Sequence, residues 1–312
     1  MATNIWQGDA DGDANNASNW SEGIPVANQD VIVPPWATYG ITSNLTAITS
    51  IALKSFWVQE GFTKNIGTTT GFFRVDISGS GATRFLYEGS STLAKFHFIK
   101  TSATVSIDIR KTGVGNAGQP AFQMMTNDVN SAAGTYMGTV SVYSGEVSLG
   151  PENTLCEVAG LVVGSNSDEA SPVVDVGVLC RDDTSDGSLL NLWMNSGTVN
   201  LGTLATNVHL HGGVINHTGT QISILNLWGG VIKLNNPTGT GGGNTITNLN
   251  LRGGTLDNSE NPSPKTITNA NLYSGSIQDP VAKLVYSNPV VYKGVQPDVE
   301  FDWGPDRTIT IA

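Results

Sequence analysis

Asp182 and Asp183 are adjacent carboxylates, and His211-Gly212 follows them along the chain. Glycosidic hydrolysis needs one carboxyl to protonate the leaving oxygen and another to activate water, which is the chemistry such a pair could supply. The pair lies in Arg181-Asp-Asp-Thr-Ser-Asp-Gly187, which reads as a polar loop. Asp9, Asp11 and Asp13 alternate around Gly12, a spacing that could present oxygens to calcium. The sixth-place Gly and the distant bidentate Glu of a calcium loop are missing, so a solvated turn is expected there, with no bound metal and no cofactor. Of the four histidines, His97, His209, His211 and His217, the pair at 209 and 211 would point both rings to one face. With Val208 and Leu210 facing inward those rings should lie outside, where weak metal binding is the chemical option and plain solvation the expected state. Cys156 and Cys180 are 24 residues apart, near one coil of a repeat, so they could stack on neighbouring rungs. Two buried thiols are expected rather than a disulfide, and there is no zinc ligand set. Trp193, Trp228, Arg252 and Tyr273 fall on outward positions of successive repeats and are expected to line up as an exposed stripe. Sugar rings stack on such aromatics and protein partners bury them.

The elements that position these residues are strands. Hydrophobic residues make up 39% of the 312 and charged residues only 13%, while 37 glycines and many Asn, Ser and Thr fill the rest. Small polar residues of this kind suit pleats and tight turns, and long amphipathic helices are hard to find. The 26 acidic residues outnumber the 15 basic ones, giving a net charge of −11 with no basic run. That balance argues against a nucleic-acid partner, whose phosphates are gripped by clustered Lys and Arg. No window approaches a membrane span, and Met1-Ala-Thr-Asn-Ile-Trp6 lacks the basic and apolar start of a secretory signal.

A repeat carries the strongest signal: apolar, any, apolar, any, Gly or Ser, Gly, any, apolar. Six copies occur, ending their corners at Gly145, Gly197, Gly213, Gly230, Gly254 and Gly275, the last five 16, 17, 24 and 21 residues apart. Alternation within each copy sends one set of side chains inward, and the small-Gly pair makes a corner. Asn207, Asn248 and Asn269 precede their copies at a fixed offset and could form a hydrogen-bonded ladder. Each unit of roughly 20 residues is too small to bury its own apolar face and must stack on its neighbours. Looser rungs are expected upstream at 51–53, 56–58, 73–77, 96–98 and 105–109, with loops at 115–120 and 165–171.

Trp6-Gln-Gly-Asp9, Asn19-Trp20, Gly23-Ile-Pro25 and Asp30-Val-Ile-Val33 resemble the opening module of bacterial and phage β-helix surface proteins, autotransporter passengers among them. The resemblance implies an all-β, right-handed parallel β-helix, with a capping module at 1–38, the helix at 39–280 and a C-terminal cap or docking segment at 281–312. Pectin hydrolases of this fold carry neighbouring carboxylates near a His-Gly, but the Arg-x-Lys segment they also use is absent here. Lyases of the fold use a Lys or Arg base beside calcium-binding acids, and Arg252 is the one inviting candidate. The function expected from the resemblance is non-enzymatic: a phage virion surface protein, a capsid decoration or cement protein or a fibre-like element, assembled as a homotrimer on other virion proteins. The alternatives are a secreted, extracellular adhesin or glycan-binding module and, behind it, a polysaccharide lyase or hydrolase.

Overall fold

A computed structural model describes residues 2–101, 105–116, 118–126, 138–164, 171–177, 180–181, 188–219, 221–235, 245–260, 264–280, 282–293 and 298–302. The architecture is a parallel β-solenoid. Among the described residues, a 14-stranded sheet begins at Thr3–Ile5 and an 11-stranded sheet at Phe73–Ile77, with a two-stranded sheet, Cys156–Glu157 beside Cys180–Arg181, between them in the chain order. From Ser55–Val58 to Leu284–Tyr286 the chain passes alternately from one large sheet to the other, so strands adjacent in a sheet come from successive coils.

The C-terminal half shows why the repeat folds this way. On the first sheet, Ser188–Met194, Leu204–Leu210, Gln221–Leu227, Thr245–Leu251 and Lys265–Leu272 pair in parallel. Leu192, Val208, Leu225, Leu249 and Ala270 stand in one inward column. On the second sheet Val199, Ile215, Ile232, Leu256 and Ile277 form the facing column. All ten are buried. Burial of such side chains contributes roughly 1.5–3 kcal/mol each, which one coil alone could not collect.

The N-terminal half fills the same space with aromatic rings. Phe56, Phe73, Phe85, Tyr87, Phe96, Phe98 and Phe122 are all buried, and Phe85 and Phe96 meet edge to face at 4.9 Å. The expected rungs at 56–58, 73–77 and 96–98 lie on strands, and Ser106–Ile109 occupies most of 105–109. At 51–53 there is only an isolated bridge through Ala52.

At the N-terminal end, Thr3–Ile5 pairs in parallel with Asp30–Val33. Trp6 and Trp20 pack edge to face at 4.8 Å over the end of the core. Trp6 Nε1 donates to the Tyr39 carbonyl at 2.9 Å and Trp20 Nε1 to the Ala14 carbonyl at 3.0 Å, so both indoles are buried with their polar edges satisfied. At the other end, Leu284–Tyr286 and Val291–Tyr292 add to the first sheet and Asp298–Asp302 to the second, making a further rung.

Candidate functional site

The site is set by the corner between the sheets. The second residue of each small-Gly pair has left-handed backbone, with φ of 85° at Gly213 and 73° at Gly230. A Cβ built on Gly230 would lie 2.5 Å from the Gly213 carbonyl oxygen, and one on Gly254 2.5 Å from that of Gly230. Only glycine satisfies both the conformation and this approach. The residues just before the corner are therefore held in register, one per coil.

That register gives two outward columns rather than one stripe. His211, Trp228, Arg252 and Tyr273 occupy one, each backbone N–H donating to the rung below. Trp193 belongs to the other, paired with His209, which is followed by Asn226, Asn250 and Asn271. The expectation that Trp193 joins the stripe is thus corrected. It sits two residues earlier in its copy, and in a strand a two-residue offset is a different column on the same face.

Both columns are stacked along the solenoid. The His211 and Trp228 rings are 6.0 Å apart and 6° from parallel. The Arg252 guanidinium carbon lies 4.5 Å from the Trp228 ring centre and 4.4 Å from that of Tyr273, a cation held between two aromatic faces. In the other column the Trp193 and His209 rings are 5.8 Å apart and 10° from parallel. On its other side Trp193 leans over Gly160, whose added Cβ would meet it at 3.1 Å. Burial, and then the neighbouring His211, hold His209 below the usual imidazole range. Asn250 donates to Asn226 at 2.9 Å and Asn271 to Asn250 at 3.0 Å. Each carboxamide has a second N–H and further lone pairs for an outside partner. Trp228 is 47% and Trp193 37% exposed, with partners stacked on both sides of Trp228 and His209 stacked on Trp193.

The Asn ladder expected at 207, 248 and 269 is present in two pieces. Asn269 donates to Asn248 at 2.9 Å and Asn288 to Asn269 at 2.7 Å, while Asn207 donates to Asn191 at 3.1 Å. Ile224 interrupts the column between Asn207 and Asn248.

The other candidates have structural duties or fall outside the description. Asp182 and Asp183 lie outside the described residues. Asp11 accepts from the Asn19 carboxamide at 2.7 Å and the Asp13 N–H at 2.9 Å, and these bonds hold its carboxyl below the usual range. Asp13 accepts from the Asn15 N–H and the Asn44 carboxamide, both at 2.7 Å. The Asp9–Asp13 segment is a hydrogen-bonded turn, and no three His, Cys, Asp or Glu converge as metal ligands among the described residues. Cys156 and Cys180 stand opposite one another on adjacent rungs, both free and buried. A hydrogen bond with Cys180 and burial push the Cys156 thiol well up, the reverse of what a nucleophile needs.

Sequence reasoning missed an open cleft of about 350 Å³ between the 115–120 loop, Glu146 and Asp175. Gly115 N donates to Glu146 at 2.9 Å and Asn200 to Asp175 at 2.6 Å, so both carboxylates are engaged within the chain. Nothing in the local sequence pairs these residues, since separate coils bring them together. His209 and His211 as stacking partners were legible, because they share the offsets of Trp193 and Trp228. No protein-family model, curated protein or solved structure matches this chain, and no helix among the described residues is long and apolar enough to cross a membrane.

Proposed function

We propose that this chain is a non-enzymatic structural protein of a phage virion surface, a decoration, cement or fibre-like element whose solenoid is a rigid spacer. The reading is carried by the unbroken parallel stack from Thr3–Ile5 to Asp298–Asp302, cross-tied by side-chain columns on its outer face. Such a stack resists bending and leaves few backbone groups open to proteases, which is what a particle surface demands. The exposed Trp, Arg and Tyr of the second half have the composition of protein-interface hot spots. Glycan adhesion is less well supported, because both faces of Trp228 and one face of Trp193, on which a sugar would stack, are already covered. Difference cryo-electron microscopy of particles with and without the chain tests the proposal. An elongated surface density that disappears with the chain is expected, and identical particles would refute it.

A further inference from the structure

The outer face of the first sheet in the second half of the stack is unusual in charge. From Gly187 to Leu256 the chain contains no Asp or Glu, although 26 are spread over the rest. The remaining first-sheet strands, Lys265–Leu272, Leu284–Tyr286 and Val291–Tyr292, contain none either. Arg252 and Lys293 are exposed on this face, and no carboxylate forms an ion pair with either among the described residues. Arg252 is held between Trp228 and Tyr273, so its N–H edge points outward as a preformed fork.

On the second sheet of the same coils acidic groups begin only at Asp257, in the last coils of the stack. The Arg252 coil continues through Gly253-Gly254 into Thr255–Asp257, and Lys293 precedes Asp298–Asp302, where Glu300 and Asp302 are exposed. Within one chain these rows face away from each other on different sheets. Asp257 has Lys233 beside it in register, so Glu300 and Asp302 are the freer anions.

We infer that the occupant of the first-sheet ribbon is a second copy of this chain, docked in parallel with its second sheet against the ribbon of the first. Parallel alignment at equal height sets Arg252 level with the neighbour's Asp257 coil and Lys293 level with its Glu300 and Asp302 coil. The contact joins two different faces and is therefore heterologous, with any ring closing about an axis parallel to the stack. The Trp228–Arg252–Tyr273 stack supplies its apolar centre and the Asn columns its hydrogen-bonding flank.

This inference rests on the structural reading above and specifies its self-association. Light scattering on the purified full chain at low ionic strength is expected to give an assembly larger than the monomer. Arg252→Glu with Lys293→Glu should weaken association at least about tenfold, and Asp257→Arg with Glu300→Arg should do the same. All four together should restore it. Circular dichroism and melting curves identify any variant that fails to fold, and the milder Arg252→Gln should weaken association in the same direction. A monomeric wild type, charge reversals without effect, or failure of the fourfold variant to reassociate would each overturn it, as would a wild type that instead binds an acidic polysaccharide such as polygalacturonate through Arg252. A monomer still found on particles would remove the self-association and leave the structural role intact, whereas an oligomer absent from particles would do the opposite.

Discussion

Arg252 covers one face of Trp228 at 4.5 Å, and His211 covers the other at 6.0 Å, so the most exposed tryptophan of the outer columns has no free ring face. Arg252→Ala should uncover one. Acrylamide quenching attributable to Trp228, taken as the difference from a Trp228→Phe background, is expected to rise, and the fold should lose no more than about 1 kcal/mol, because the contact is exposed. Unchanged quenching would mean that the guanidinium does not shield the ring in solution.

The corner glycines are expected to tolerate no side chain. Gly230→Ala combines left-handed backbone with a Cβ 2.5 Å from the Gly213 carbonyl, and should cost at least about 2 kcal/mol. Gly23 also has positive φ but open space around its Cβ, so Gly23→Ala should carry only the conformational part, about 1 kcal/mol. Urea titration of the two variants separates the contributions. Equal losses would deny that the coils approach as closely as described.

Phe96 lies within 4.9 Å of Phe85 and 5.6 Å of Phe122, ring centre to ring centre, in the fully buried aromatic half of the core. Phe96→Ala is expected to destabilise by about 3–5 kcal/mol, and Phe96→Leu by distinctly less. Thermal denaturation of both variants checks the order.

Much of this was legible in the sequence, for identifiable reasons. The corner glycines announced themselves because conformation and close approach both demand glycine, and the strands because the alternation has a period of two. What separated Trp193 from Trp228 was an offset of two residues within the motif, which changes the column without changing the face. The aromatic filling around Phe96 was harder to read, since its strands come from coils of uneven length and lack the Gly corner. The Glu146–Asp175 cleft left no local signal, because its residues meet only through the stacking of coils. Asp11 and Asp13 looked like calcium ligands because the same oxygens that bind cations also close turns, here onto Asn19, Asn15 and Asn44.

His217 gives a pH prediction. Its ring is buried, neither nitrogen has a hydrogen-bond partner among the described residues, and burial, with Lys265 nearby, pushes its pKa down to about 3. The unfolded chain takes up this proton near 6.5, while the folded one refuses it until about 3. The stability contributed by neutral His217 is therefore present above pH 6.5 and is lost as the pH falls from there toward 3, amounting to about 3 kcal/mol by pH 4. His217→Leu should lose less stability than the parent between pH 7 and 4, and parallel curves would contradict the assignment.

Cys156 and Cys180 should be silent in the native state. Burial and their mutual hydrogen bond favour the thiol over the thiolate. Ellman's reagent is expected to find no reactive thiol until denaturant is added and two thereafter; prompt native reaction would show that this corner opens.

The most direct test of the structural role is quantitative mass spectrometry of virions purified through successive density gradients. The account expects the chain at a fixed copy number relative to the capsid protein, retained after high-salt washing and exposed to surface labelling. A chain that stays in the soluble lysate, or falls away in proportion to each wash, would contradict it.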